Sequence, residues 1–142
     1  MVNIIAFYVN HELTRMITNK PKILYKELSY KIIGLAMQVH RELGPGFLEK
    51  VYENSMMVLF KKEKIPAVSQ APIDVFFESE IVGHYVADIL VDEKIILELK
   101  CVKVIESAHR AQALNYLKAT GKQLAIILNF AKKKLEYERL IF

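Results

Sequence analysis

The chain has 142 residues, 53% hydrophobic and 25% charged, with 20 Lys plus Arg against 16 Asp plus Glu, a formal net charge of +4. Disorder needs low hydrophobicity and a lopsided charge balance, so it is excluded; five glycines and one cysteine equally exclude a collagen-like chain and a disulfide-stapled scaffold. What fits is one compact domain that buries roughly two-thirds of its unfolded surface, with a mild positive charge that permits a nucleic-acid partner without specifying one.

Residues 1–22 read as an N-terminal extension. They are apolar at Val2, Ile4, Ile5, Phe7 and Val9, polar from His11 onward, and end at Lys20-Pro21 without a clear period. They carry no basic leader and no small-residue cleavage site, which argues against a signal peptide. Nowhere does an apolar run reach the roughly 18–20 residues needed to span a membrane. With the lone thiol of Cys101, this predicts a reducing, cytoplasmic setting and no membrane partner.

From Ile23 the apolar positions Ile23, Leu28, Ile32, Leu35, Ala36 and Val39 recur at helical spacing, and Gly44-Pro45-Gly46 must stop that helix near Leu43. A second helix is predicted over 47–62, with Lys61 and Lys62 at the end that suits cations. The period then changes to two. Residues 67–78 read as a strand, and 81–91 and 95–102 as a hairpin around Asp92-Glu93-Lys94, apolar enough to be buried on both faces. Ser107 to Thr120 reads as a helix capped by Ser107 and closed by Gly121. Strands over 123–130 and 135–142 complete an α-α-β-β-β-α-β-β order, an α/β (α+β) domain over 23–142.

The chemistry concentrates in the hairpin. Glu98 and Lys100 are two apart and share a face. A three-residue loop pairs Val91 with Ile95 and sets Asp88 directly opposite Glu98, whereas a two-residue loop would set Asp88 opposite Leu97. Two carboxylates facing each other among Ala87, Ile89, Leu97 and Leu99 repel, and a hard divalent cation, Mg²⁺ or Mn²⁺, is the natural offset. The competing reading is a solvated sheet edge on which Lys100 simply pairs with Glu98. C-x-x-C, H-E-x-x-H, G-x-S-x-G and a phosphate-binding loop are all missing from the sequence, which weighs against zinc and serine chemistries.

Asp88 followed by Glu98-Leu99-Lys100 resembles the D…(D/E)-X-K signature of the PD-(D/E)XK nuclease superfamily, with Ala87 where the signature has proline. Gly46-Phe47-Leu48-Glu49-Lys50-Val51-Tyr52 resembles the motif of the GxxExxY protein family, a branch of that superfamily, and His40 to Pro45 and Glu53 flank it in the family's manner. Gln112 to Tyr116 is similar to the Q-x-x-x-Y motif of RecB-type nucleases. The resemblance covers the chain from about Leu28 onward. It implies a restriction-endonuclease-like αβββαβ core, a mixed sheet flanked by helices with an extra N-terminal helix.

It also implies Mg²⁺ or Mn²⁺ held by Asp88, Glu98, the Leu99 carbonyl and Glu49, with Lys100, Gln112 and Tyr116 catalytic and Tyr52 and His109 supporting. The substrate would be nucleic acid, DNA before RNA, and a homodimer would suit cleavage of both strands. The alternative is a module that keeps the fold and binds nucleic acid or protein without catalysis.

Overall fold

The computed structural model describes residues 23–142; the expected extension over 1–22 lies outside the described residues. The elements are α1 (Lys26–Leu43), α2 (Glu49–Lys62), β1 (Ala67–Phe77), β2 (Glu80–Val91), β3 (Ile95–Lys100), α3 (Ser107–Thr120), β4 (Leu124–Asn129) and β5 (Glu136–Ile141). Their order is the expected one. The strands form a single sheet, β1-β2-β3-β4-β5, antiparallel except for the parallel pair β3–β4, which α3 connects. The parallel pairing follows from its long helical crossover, because only adjacent antiparallel strands can close through a tight turn.

Two cores sandwich the sheet. On one face Ile32, Leu35 and Val39 of α1 and Tyr52, Met56 and Phe60 of α2 pack on Ile89, Leu97, Leu99, Ile126 and Leu128. On the other, Ala113, Tyr116 and Leu117 of α3 pack on Ala71, Ile73, Ala87, Ile96, Ala125 and Ile127. Every residue of β4 is buried, as a central strand covered on both faces requires. Truncating such a side chain, Leu128→Ala for example, typically costs about 2–5 kcal/mol.

Several expectations need correction. Burial on both faces holds for β3 but not for the first half of β2, where Ile81, Val82, Tyr85 and Val86 are exposed. The β2–β3 ladder ends at Ile89–Leu97, so the earlier part of β2 pairs with β1 alone and leaves the sheet as a two-stranded ribbon. At the ribbon's tip Phe76 and Phe77 are exposed too.

The cap of α3 is Glu106, not Ser107. Its carboxylate accepts the backbone N–H of His109, and the His109 ring accepts the Glu106 N–H, a reciprocal capping box. Helices α1 and α2 begin at Lys26 and Glu49, a few residues later than their apolar patterns suggest. Gly44 has positive φ but extended ψ, which turns the chain outward rather than into a left-handed cap.

Ribbon and sheet differ in facing as well as pairing. Ile89 belongs to the α1–α2 core and Ala87, two residues away, to the α3 core. On β1, Ala67, opposite Val91, packs on the first core and Ala71, opposite Ala87, on the second. Alternation would keep each pair of odd-numbered residues on one face, so both strands switch faces at the rung between. There the ladder is interrupted: Gln70, at φ 53°, and Asp88 lie level with each other between the Ser69–Ile89 and Ala71–Ala87 pairs without pairing themselves.

Candidate active site

The hairpin register is the three-residue-loop one. Val91 pairs with Ile95, Leu90 with Ile96 and Ile89 with Leu97, which puts Asp88 and Glu98 at the next rung, where the strands part. At this fork each carboxylate takes a backbone N–H from the other strand. The Leu99 N–H donates to Asp88 Oδ2 at 2.7 Å, and the Asp88 N–H donates to Glu98 Oε1 at 3.3 Å. These bonds satisfy donors that the ended ladder leaves unpaired. Within a strand a residue's N–H and C=O point to the same side. The Lys100 carbonyl accepts the Phe130 N–H on the β4 side, so the Leu99 carbonyl faces Asp88.

This is not a solvated edge. Glu98 is only 4% exposed, and burial together with the neighbouring Asp88 charge pushes its carboxyl up to about 8. Burial raises Asp88 as well, against the hydrogen bond from Leu99 that lowers it. Two acids side by side on low-dielectric ground cannot both ionise cheaply without a cation. Lys100 does not supply it by pairing with Glu98, since its Nζ donates to Gln112 Oε1 at 3.3 Å. Gln112 Nε2 in turn donates to the Tyr116 hydroxyl at 3.0 Å. Burial, with the Glu98 charge, raises the Tyr116 phenol.

Glu49 reaches the site from α2. Its Oε1 accepts the Cys101 N–H at 3.2 Å, one residue beyond Lys100. Tyr52 sets where that helix starts. Its hydroxyl donates to the Gly44 carbonyl at 2.6 Å and accepts the Phe47 N–H at 3.2 Å, while its ring stacks on Phe130 at 4.4 Å. Gly46, at φ 111°, supplies a backbone conformation that a side chain would resist.

The structure thus brings Glu49, Asp88, Glu98, Lys100, Gln112 and Tyr116 around one fork, with Tyr52 supporting the loop. It does not bring His109 there, because that ring caps α3. Among the described residues no three His, Cys, Asp or Glu side chains close into a metal-ligand cluster; the three acids expected to converge instead each hold a backbone N–H. The donor set of carboxylates and a carbonyl is nonetheless the hard-oxygen type that suits Mg²⁺ or Mn²⁺, and the buried, charge-crowded Glu98 is the group a cation would relieve.

Two residues beside the site have no role assigned by the sequence, although Glu53 flanks the Gly46–Tyr52 motif there. Glu53, one turn after Glu49, is 4% exposed, and its Oε1 accepts from Ser69 Oγ at 2.7 Å, Gln70 Nε2 at 2.9 Å and Lys50 Nζ at 3.3 Å. Burial tends to raise this carboxyl, yet the bonds from Gln70, Ser69 and Lys50 outweigh it and hold Glu53 below the usual range. The i, i+4 spacing of Glu49 and Glu53 is a signal that could have found Glu53. Gln70 gives no sequence signal, since a left-handed residue inside a strand is usually Gly or Asn.

A mixed sheet between helical layers, with acids and a lysine where a central hairpin forks, defines an α+β fold of the restriction-endonuclease-like kind. The chain matches the model of the PD-(D/E)XK nuclease superfamily over residues 26–140, and it belongs to that superfamily. Members of this superfamily generally use divalent metal ions.

Among solved structures the chain is similar to the crystal structure of SSO0001, at 13% identity and a TM-score of 0.52, covering 66% of this chain and 50% of that one. It also aligns with an alkaline exonuclease from Laribacter hongkongensis at 14% identity and a TM-score of 0.49, covering 75% of this chain and 66% of that one. The chain therefore spans half the length of the first of these structures. A search of curated protein sequences finds no match. No helix of the described residues is long and apolar enough to cross a membrane.

Proposed function

We propose that this protein is a metal-dependent nuclease of the GxxExxY branch, hydrolysing phosphodiester bonds in nucleic acid, DNA before RNA. The observation that carries the reading is the fork. Asp88 and Glu98 face each other at the end of a ladder, with Glu98 pushed up to about 8, beside a lysine that is not paired with either acid. Asp88, Glu98 and the Leu99 carbonyl would hold Mg²⁺ or Mn²⁺, with Glu49 on the α2 side. When bound, the ion supplies Lewis acidity toward a phosphoryl oxygen and lowers the pKa of a bound water.

The chain's own residues do the rest. Lys100 offers a positive charge on the Glu98 face, suited to the developing negative charge of the reaction. Gln112 and Tyr116 orient its ammonium from α3. A single site cuts one strand, so cleavage of a duplex through both strands calls for a homodimer.

The test is incubation of the full chain with single- and double-stranded DNA and RNA under Mg²⁺ and Mn²⁺. Cleavage that disappears in Asp88→Ala and Lys100→Ala supports the reading; no cleavage under any divalent metal ends it. A non-catalytic module is the second reading. It is favoured by the way each carboxylate already holds a backbone N–H. Calorimetric titration with Mn²⁺ separates the two, since a binding-only module shows no heat that depends on Asp88 and Glu98.

A further inference from the structure

Charge is segregated along this chain. From Pro66 to Glu93 there are six acidic residues and no Lys or Arg, and three of them, Asp74, Glu78 and Glu80, lie on the β1–β2 ribbon, which is therefore acidic although the whole chain carries +4. The cations lie elsewhere, and several gather at the carboxyl ends of β3 and β4, next to the fork. Three segments meet there.

The loop after α1 is tied to β4 by Tyr52, which bonds Gly44 and Phe47 and stacks on Phe130 at 4.4 Å. The exit of β3 joins that loop through Cys101, whose Sγ donates to the Phe47 carbonyl at 3.6 Å and whose N–H donates to Glu49. The β4–β5 turn is held to α1 by His40, whose Nε2 lies 2.7 Å from the Lys132 carbonyl. The result is one continuous cap. Lys103, Lys133 and Lys134 on it are exposed and make no ion pair with a described residue, whereas Lys132 pairs with Glu136 at 2.6 Å.

The cap also presents apolar side chains immediately before Glu49. Leu48 is 80% exposed and Phe47 is 48% exposed, its ring meeting Tyr52 edge-on at 6.2 Å. Cations beside an exposed aromatic and a leucine make a poor docking face for intact duplex, whose bases are already stacked inside. They match a strand with unstacked bases, because lysines neutralise its phosphates while a base stacks on the ring.

We propose that this cap, comprising Phe47, Leu48, Lys103, Lys133 and Lys134, is the docking surface for single-stranded nucleic acid and delivers a strand or frayed end to the acids of the fork, leaving the acidic ribbon outside the contact. The inference deepens the nuclease reading and rests on it for the direction of delivery, but binding to the cap is separable from cleavage.

The test is fluorescence anisotropy of the full chain in EDTA, with a labelled 20-nucleotide dT strand and a blunt 20-base-pair duplex as probes, over 50–200 mM salt. The strand is expected to bind about tenfold more tightly than the duplex. Lys133→Glu with Lys134→Glu weakens strand binding about tenfold or more and lowers the slope of log K against log salt by roughly 1.4, the value for two lost single-strand phosphate contacts. Phe47→Ala and Leu48→Ser weaken it several-fold with the slope unchanged. Phe76→Ser with Phe77→Ser on the ribbon leaves it as in the parent chain.

Equal binding of strand and duplex, no binding of either, or loss in the ribbon variant but not the lysine variant overturns the proposal. If the cap variants lose binding and no divalent metal gives cleavage, the surface stands and the nuclease reading falls. Asp88-dependent cleavage with unaltered binding in the cap variants does the reverse.

Discussion

Gln70 stands level with Asp88 at a break in the β1–β2 ladder, in a left-handed conformation, φ 53°, with its amide tied to the buried carboxylate of Glu53 at 2.9 Å. The break is where both strands exchange faces, and the exchange lets the β1–β2 ribbon leave the sheet beside the acids. A left-handed backbone costs a residue with a side chain roughly 1–2 kcal/mol, and the bond to Glu53 returns about 1.5–3 kcal/mol, as bonds to charged groups do. Gln70→Gly should therefore stay within about 1 kcal/mol of the parent, since strain relief offsets the lost bond. Gln70→Val, β-branched, should be destabilised by about 2 kcal/mol or more. Urea unfolding with both variants checks this, and Val equal to or better than Gly would refute a conformational role for the position.

The pH dependence of metal-free stability has a definite sign. Glu98 titrates near its ordinary value of 4.5 when unfolded and at about 8 when folded, raised by burial and by Asp88. Between these values the folded state binds more protons than the unfolded state, so stability falls as pH rises and levels off above about pH 8. At about 1.4 kcal/mol per unit the full loss is on the order of 5 kcal/mol. In EDTA the thermal midpoint should fall from pH 5 to pH 8.5, Glu98→Gln should flatten the decline, and millimolar Mn²⁺ should recover much of it at pH 8 through ligand linkage. A metal-free midpoint that rises over this interval in the parent and not in Glu98→Gln contradicts the crowded-acid account.

What the sequence made legible follows from how local the controlling physics is. The loop Asp92-Glu93-Lys94 sets the hairpin register; spacing narrows it to two choices, Asp88 opposite Glu98 or opposite Leu97, and the Val91–Ile95 pair selects the first. The i, i+4 pair Gln112 and Tyr116 is likewise a local relation, and it holds as a 3.0 Å bond. Ribbon exposure was not legible. Val82 and Tyr85 have strand-like chemistry whether or not a third strand pairs with them, and β3 is simply too short to do so. The resemblance implies His109 as a supporting residue, but at the third position of α3 its ring closes a capping box instead. The role of Glu53 depends on Ser69 and Gln70, 16 and 17 residues away, and on a backbone conformation that no propensity favours.

Lys100 and Gln112 test whether α3 orients the lysine. Under the nuclease reading, Lys100→Ala should lower the cleavage rate at least about a hundredfold, the scale of losing one charge-stabilising group. Gln112→Ala removes only the partner that holds Nζ at 3.3 Å, so it should lower kcat about tenfold while leaving Mn²⁺ affinity near that of the parent. Gln112→Glu keeps an acceptor and should recover part of the rate. Single-turnover cleavage alongside Mn²⁺ calorimetry reads both quantities; equal losses of metal affinity and rate in Gln112→Ala would mean that the glutamine serves the fold instead.

Tyr52 offers the last test, because its ring and its hydroxyl do different things. The ring is fully buried against Phe130, and Tyr52→Ala should cost about 3–5 kcal/mol, as aromatic truncations in a core do. The hydroxyl links the Gly44 carbonyl and the Phe47 N–H, and Tyr52→Phe removes both bonds while sparing the stack. Its cost should be about 1–3 kcal/mol, with the Gly44 carbonyl left without that partner. The effect should also be local: amide exchange at Phe47 should speed up at least about tenfold, while exchange in β4 follows only the global loss. With its start loosened, α2 holds Glu49 less firmly at the Cys101 N–H, so metal affinity should fall more in Tyr52→Phe than in an equally destabilised core variant such as Ile126→Val. Equal metal affinity in the two variants would confine Tyr52 to the core and free Glu49 from dependence on the loop.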